Sequence, residues 1–147
     1  MSSHRTGDFG EQKVKEKCAC PRCKRAKTFE FLRKNFKCAD IICNFCGYIA
    51  QIKTTKVTDL DVLPNTITGS GWKVFKDRLD SGIYFPLFLV LSKSARRYAI
   101  YYLPSDLQNA DMFKKRNELS ITAKRPGWIG FTYKLTVEIR TRFVRLV

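Results

Sequence analysis

Histidine is nearly missing from this chain of 147 residues: His4 is the only one, and it stands close to the N-terminus. A metal held by histidines and a Ser/His/Asp hydrolase both need imidazoles that the chain does not supply. Acidic residues are also scarce, 13 Asp plus Glu against 28 Lys plus Arg, which leaves a formal net charge of +15. No glycine-rich phosphate loop occurs, so ATP-driven chemistry has no support. Internal repeats and low-complexity tracts are absent. The longest apolar run, residues 84–91, is too short to span a bilayer and contains Pro86. Without an amphipathic helix of useful length either, a membrane partner is not expected. The opening Met1-Ser2-Ser3-His4-Arg5 lacks the apolar stretch of a secretory signal, so the chain is expected in the reducing cytoplasm. In that compartment its six cysteines point to a metal or to free thiols before disulfides.

The length suits one domain with one substantial core, and residues 1–147 are read as such. Basic residues run from Lys13 to Arg145 instead of gathering in a tail, which predicts a polyanionic partner, with nucleic acid favoured. Lys73, Lys76, Arg96, Arg97, Lys114, Lys115, Arg116, Lys124 and Arg125 are candidate phosphate contacts. Trp128 is a candidate for stacking on bases, whereas Trp72, at helical spacing with Phe75 and Leu79, reads as core.

Two Cys-x-x-Cys pairs, Cys20/Cys23 and Cys43/Cys46, flank residues 24–42. Zinc takes four ligands in a tetrahedron, and two such turns face to face present four thiolates in that arrangement. Pro21 and Gly47 favour the tight turns. Cys18 is an alternative to Cys20, although Cys18-Ala19-Cys20 makes a poorer knuckle; the bland alternative is a set of buried reduced thiols. Cys38 reads as a core residue on a strand. Four cysteine ligands leave zinc no open position, so this zinc, in an element covering about residues 18–47, is expected to be structural.

Interlocked with the cysteines is a second constellation: Asp40, then Gln51-Ile52-Lys53 beyond residues 41–50. Residues 48–55 alternate as a strand, with Tyr48, Ala50 and Ile52 on one face and Ile49, Gln51 and Lys53 on the other. Phosphodiester hydrolysis needs a hard cation, and Mg²⁺ takes oxygen ligands. Asp40 offers a carboxylate, Gln51 an amide oxygen and Ile52 its backbone carbonyl, while the Lys53 ammonium can polarise a water or balance charge. On their own an Asp and a Gln-x-Lys are common, and a turn aspartate beside an exposed strand face is the plain reading.

Elsewhere, residues 1–8 read as a mobile lead-in and 9–17 as a short helix. Strands are expected at 28–31 and 36–43, a loop at 58–71, and a helix from Trp72 to the Asp80-Ser81-Gly82 stop. Residues 84–93 and 96–103 predict a hairpin of core strands. Residues 105–119 read as polar with a helical turn near Met112, and 128–137 and 139–147 as two final strands.

The segment Ala39-Asp40-Ile41-Ile42-Cys43-Asn44-Phe45-Cys46 followed by Gln51-Ile52-Lys53 resembles the DpnI type of restriction endonuclease, the Dam-replacing family, within the PD-(D/E)xK nucleases. Cys20-Pro21-Arg22-Cys23 matches that family's first zinc pair, Glu11 stands where it also places an acidic residue, and Lys124-Arg125-Pro126-Gly127-Trp128-Ile129-Gly130 is similar to its basic GWIG segment. The resemblance covers most of residues 9–147. It implies an α/β (α+β) fold, a restriction-endonuclease-like mixed central sheet flanked by helices with an inserted four-cysteine zinc knuckle, Asp40 and Gln51-x-Lys53 lying on adjacent strands. It also implies DNA cleavage in restriction or defence, with Mg²⁺ catalytic, Zn²⁺ structural, and Glu11 orienting a magnesium-bound water. Pairing of two copies is one route to cutting both strands. Two departures stand out: Gln51 replaces the usual Glu, as in Mrr-like relatives with Gln-x-Lys, and the family's C-terminal winged helix is not expected here. Gln51 therefore keeps a second reading open, a non-catalytic zinc-containing DNA-binding protein on a nuclease fold.

Overall fold

The computed structural model describes residues 3–118 and 129–147. Its organising strand is β5 (Leu87–Ser94), in which Leu87, Phe88, Leu89, Val90 and Leu91 are all buried. A continuous apolar run of this kind belongs to an interior strand covered on both faces. On one side it pairs in parallel with β3 (Ile49–Lys56), Gln51 opposite Leu87, and on the other antiparallel with β6 (Arg97–Leu103). With β1 (Phe29–Phe31), β2 (Ile41–Cys43) and β9 (Val144–Arg145) the order is β1-β2-β3-β5-β6-β9, a mixed sheet. The parallel β3–β5 step requires a long crossover. That crossover contains β4 (Thr66–Ser70) and helix α2 (Trp72–Asp80). Strand β4 pairs with β8 (Ile129–Lys134), which pairs with β7 (Phe113–Glu118), making a second sheet of three strands.

Strand alternation divides the core. Even-numbered Ala50, Ile52, Phe88 and Val90 pack with Val14 of helix α1 (Ser3–Lys17), with Cys18 just beyond its end, and with Phe29 and Ile41. Odd-numbered Leu87, Leu89 and Leu91 pack with Phe75, Ile67, Phe113, Phe131 and Tyr133, and with Ile139 of helix α3 (Val137–Arg142). Helix α1 lies close on β3 because Gly10 has no side chain: a Cβ there would stand 1.7 Å from Thr54 Oγ1.

The expected alternation of β3, the 84–103 hairpin and the α2 helix are all present. Several expectations need correction. Helix α1 begins at Ser3, so residues from Ser3 onward are helical and not a lead-in. The strand expected over 36–43 shrinks to Ile41–Cys43, because Cys38 has a left-handed backbone (φ 68) and leaves the chain half-buried rather than on a strand. The 58–71 loop contains β4, whose Gly69 is a strand residue: it faces Phe131, and a Cβ would lie 2.5 Å from that ring. Glycine here marks a close approach, not a break. The helical turn expected near Met112 is present as a 3₁₀ turn over Ala110–Met112, whereas the residues after it, Phe113–Glu118, form β7. The last expected strand, 139–147, is divided: its first four residues belong to α3, whose N-terminus is capped by Thr136 accepting from the Ile139 amide at 3.2 Å, and only Val144–Arg145 pair as a strand. Among the described residues no helix is long and apolar enough to cross a membrane.

Candidate functional site

Zinc–sulfur arms of about 2.3 Å in a tetrahedron give sulfur–sulfur edges of about 3.8 Å. The Cys20–Cys46 and Cys23–Cys43 sulfurs are 3.6 and 3.7 Å apart, and all four lie within 4.8 Å of one another. The set fits a zinc ion. The two turns repeat one geometry: the Lys24 amide donates to Cys20 O at 2.8 Å, and the Gly47 amide to Cys43 O at 2.9 Å. Burial pushes the Cys20 thiol up to about 12. Burial acts the same way on Cys43, but the Thr28 hydroxyl, 3.1 Å from its sulfur, and the Cys46 and Phe45 amides outweigh it and bring that thiol down to about 6. A cation among the four would favour thiolates throughout. Cys18 is excluded as a ligand: it is buried against α1 and β3, outside the cluster.

Strand β2 ties this cluster to the second constellation, with Cys43 at one end and Asp40 just before the other. Asp40 is held by three hydrogen bonds: its amide donates to Ala50 O, its carbonyl accepts from the Leu32 amide, both at 3.0 Å, and its Oδ2 accepts from the Ile52 amide at 2.7 Å. In a strand the N–H and C=O of one residue point to the same edge. The Ile52 carbonyl therefore lies on the edge that Asp40 covers. Gln51 is buried, and its backbone N–H donates to Pro86 O at 2.8 Å. Lys53 follows on the same face, its Nζ 5.8 Å from the Tyr133 ring centre.

Desolvation dominates the electrostatics. Burial raises the Asp40 carboxyl, against the Ile52 amide and Lys53, which lower it. Burial lowers the Lys53 ammonium, with Asp40 and Cys38 opposing. Glu11, on α1, is raised to about 7 by burial and then by the negative charges of Asp40 and Asp8, partly offset by Lys34. The negative charge of Asp40 thus disfavours ionisation of Glu11 on a different element, a conflict that a cation beside them would relieve. The donors are hard oxygens, which suits Mg²⁺ and not a thiophilic metal.

Asp40, Gln51, Ile52 and Lys53 line one cleft of about 460 Å³ with Lys34, Phe36, Lys37, Gly71, Phe75 and Phe131. Lys73 sits in the first turn of α2, beside the cleft residues Gly71 and Val74. Lys76 is exposed but bonded to Asp80 at 2.8 Å. Lys114, Lys115 and Arg116 are exposed on β7. Arg96 and Arg97 are not brought to the cleft: they follow Ser94, and Gln51 aligns with Leu87, so the length of β5 separates them by about 23 Å. Lys124, Arg125 and Trp128 lie outside the described residues.

Three contributors escaped the sequence reading. Lys34 and Lys37 line the cleft, and their signal was the basic stretch immediately ahead of Asp40. Tyr133 is buried with its hydroxyl unpartnered among the described residues. The Gln51 side chain lies near enough to bias that phenol, without a well-formed hydrogen bond, and burial dominates in raising it. Nothing in the local sequence of Tyr133 announces this contact, since β8 reaches Gln51 only through the tertiary fold.

Comparison with curated proteins finds no match. The family model described as DpnI, the Dam-replacing family, matches residues 1–146, and on that span the chain belongs to this family.

Proposed function

We propose that the chain is a magnesium-dependent DNA endonuclease with a structural zinc, acting in restriction or defence. Family membership supports a restriction-type nuclease acting on DNA. The observation that carries the finer reading is the meeting of Asp40, Gln51 and Lys53 at the floor of one basic cleft, with Glu11 electrostatically coupled to Asp40. Asp40, the Gln51 amide oxygen and the Ile52 carbonyl would hold Mg²⁺, which when bound neutralises phosphate charge and makes a nearby water more acidic. Lys53, its ammonium destabilised by burial, is placed to share a proton with the attacking water or to balance charge as the phosphate reacts. Glu11 orients water at the edge of the site. Lys34, Lys37 and Lys73 draw the backbone into the cleft. Two copies on opposite strands would produce a double-strand break.

The neutral Gln51 favours a second reading, a binding module on a nuclease fold, because an amide is a weaker cation ligand than a carboxylate. Incubation of the zinc-loaded protein with methylated and unmethylated plasmid, with and without Mg²⁺, separates the two. Cleavage that requires Mg²⁺ and disappears in Asp40→Ala and Lys53→Ala, both still binding DNA, supports the enzyme. Cleavage that survives Asp40→Ala removes the site assignment.

A further inference from the structure

The zinc element carries a dense positive charge that the cleft does not use. Residues 17–29 contain no acidic residue, and Arg22, Lys24, Arg25 and Lys27 are all exposed. Among the described residues none of the four forms an ion pair. The two arginines are held rather than free: the Arg25 guanidinium stacks 3.8 Å from the ring centre of Phe45, and Arg22 lies 5.2 Å from that of Tyr48 with its Nη1 3.5 Å from Cys46 O. Phe45, which carries the Arg25 stack, is itself 59% exposed.

The lysines occupy backbone that does not suit them. Lys24 and Lys27 have φ of 65° and 60°, left-handed values that glycine adopts without strain. The second knuckle supplies the comparison within the same molecule. Its residue after the last cysteine is Gly47, with φ 79° and the same amide-to-cysteine-carbonyl hydrogen bond that Lys24 makes. One knuckle uses the residue that the conformation favours, and the other places a charged side chain there instead. A merely solvated face does not need lysine at such positions.

We propose that the zinc knuckle is itself a DNA-contacting element, in which Arg22, Lys24, Arg25 and Lys27 hold the phosphate backbone while Phe45 lies against the strand. This rests on the reading of the chain as a DNA nuclease and adds a second contact region to it. The region is rigidly spaced from the cleft, since the three residues from Asp40 to Cys43 along β2 span about 10 Å. Zinc then does two jobs: it closes the knuckle and it fixes the spacing between these charges and Asp40.

The test measures binding of a labelled duplex to zinc-loaded protein without Mg²⁺, across a salt series, alongside zinc content and melting temperature. The double variant Lys24→Gly/Lys27→Gly is expected to keep its zinc and to melt at the same or a higher temperature. Its DNA affinity should nevertheless fall about tenfold near physiological salt, and the slope of log K against log salt should become shallower by about two. Lys24→Gln/Lys27→Gln should lose the same affinity with no gain in melting temperature, which separates charge from backbone relief. Unchanged affinity and slope in a folded, zinc-loaded double variant would overturn the proposal while leaving the nuclease reading intact. A wild-type protein that binds no duplex would remove both. Loss of binding to anionic phospholipid vesicles with DNA affinity unchanged would also overturn it, in favour of a membrane surface.

Discussion

In the proposed magnesium site Gln51 would contribute a dipole where a carboxylate would contribute a full charge, so its substitution tests that site. Gln51→Glu is expected to retain cleavage and to lower the Mg²⁺ concentration giving half-maximal rate, whereas Gln51→Ala should be inactive; a cleavage titration against Mg²⁺ reads both. An inert wild type beside an active Gln51→Glu would make this chain a binding module. Glu11 gives a pH prediction. Its folded-state value of about 7 lies above the ordinary 4.5, so between those values the folded protein holds more protons than the unfolded one. The contribution of Glu11 to stability should therefore be fully present below about 4.5 and be lost as pH rises to about 7, with the burial-raised Asp40 acting in the same direction. Mg²⁺ should flatten the decline by compensating both carboxylates. Melting curves between pH 5 and 8, with and without Mg²⁺, check this, and Glu11→Gln should flatten the metal-free profile on its own. A Glu11→Gln profile that superimposes on wild type would count against the coupling. The residues of this site were largely legible in sequence because Asp40, Gln51 and Lys53 are close in the chain and the period-two rule puts Gln51 and Lys53 on one face. Tyr133 was not, since its contact with Gln51 spans two separate sheets.

Helix α1 and the zinc knuckle are the elements that set the cleft's geometry from outside it. Gly10 allows α1 to approach β3, and the next residue is Glu11, so helix depth and carboxylate position are one variable. Gly10→Ala would drive its Cβ into Thr54 and should cost about 1–3 kcal/mol, measurable by urea denaturation. Thr54→Ala, which removes a buried hydroxyl with no hydrogen-bond partner among the described residues, should recover part of that loss. A Gly10→Ala protein as stable as wild type would mean that α1 can shift freely. For the knuckle, Cys43→Ser removes a sulfur from a set that has no spare ligand, because Cys18 is locked in the core. It should lose most of its zinc and unfold at lower temperature, as metal analysis and thermal melting would report; full zinc retention would refute the four-cysteine assignment. Element types were readable where periodicity was strong, as in β3, α2 and the β5–β6 hairpin. They were misread in β4, β7 and α3, where polar side chains, a strand glycine and β-branched residues gave a local signal that tertiary pairing and a Thr136 cap overrode.

At the scale of the whole molecule, a net charge of +15 spread along the chain should make DNA affinity fall steeply with salt. A plot of log K against log salt should be linear, with a slope of several units; affinity insensitive to salt would show that the basic residues do not contact phosphates. Charge balance, the paired cysteines and the Asp40/Gln51/Lys53 spacing are properties of the chain itself, and they determined the candidate zinc ligands, the expectation of a polyanionic partner and the core of the candidate site. Those signals are local or additive, so they survive without a fold. Which basic residues serve the cleft was decided only in three dimensions. Arg96 and Arg97 lie at the far end of β5, whereas Lys34 and Lys37, on the turn segment that leads into Asp40, line the cleft. The placement of β8 against Gln51 has the same origin. It depends on a second sheet whose strands come from opposite halves of the chain, and burial of the shared aromatic core, not any local preference, selects that pairing.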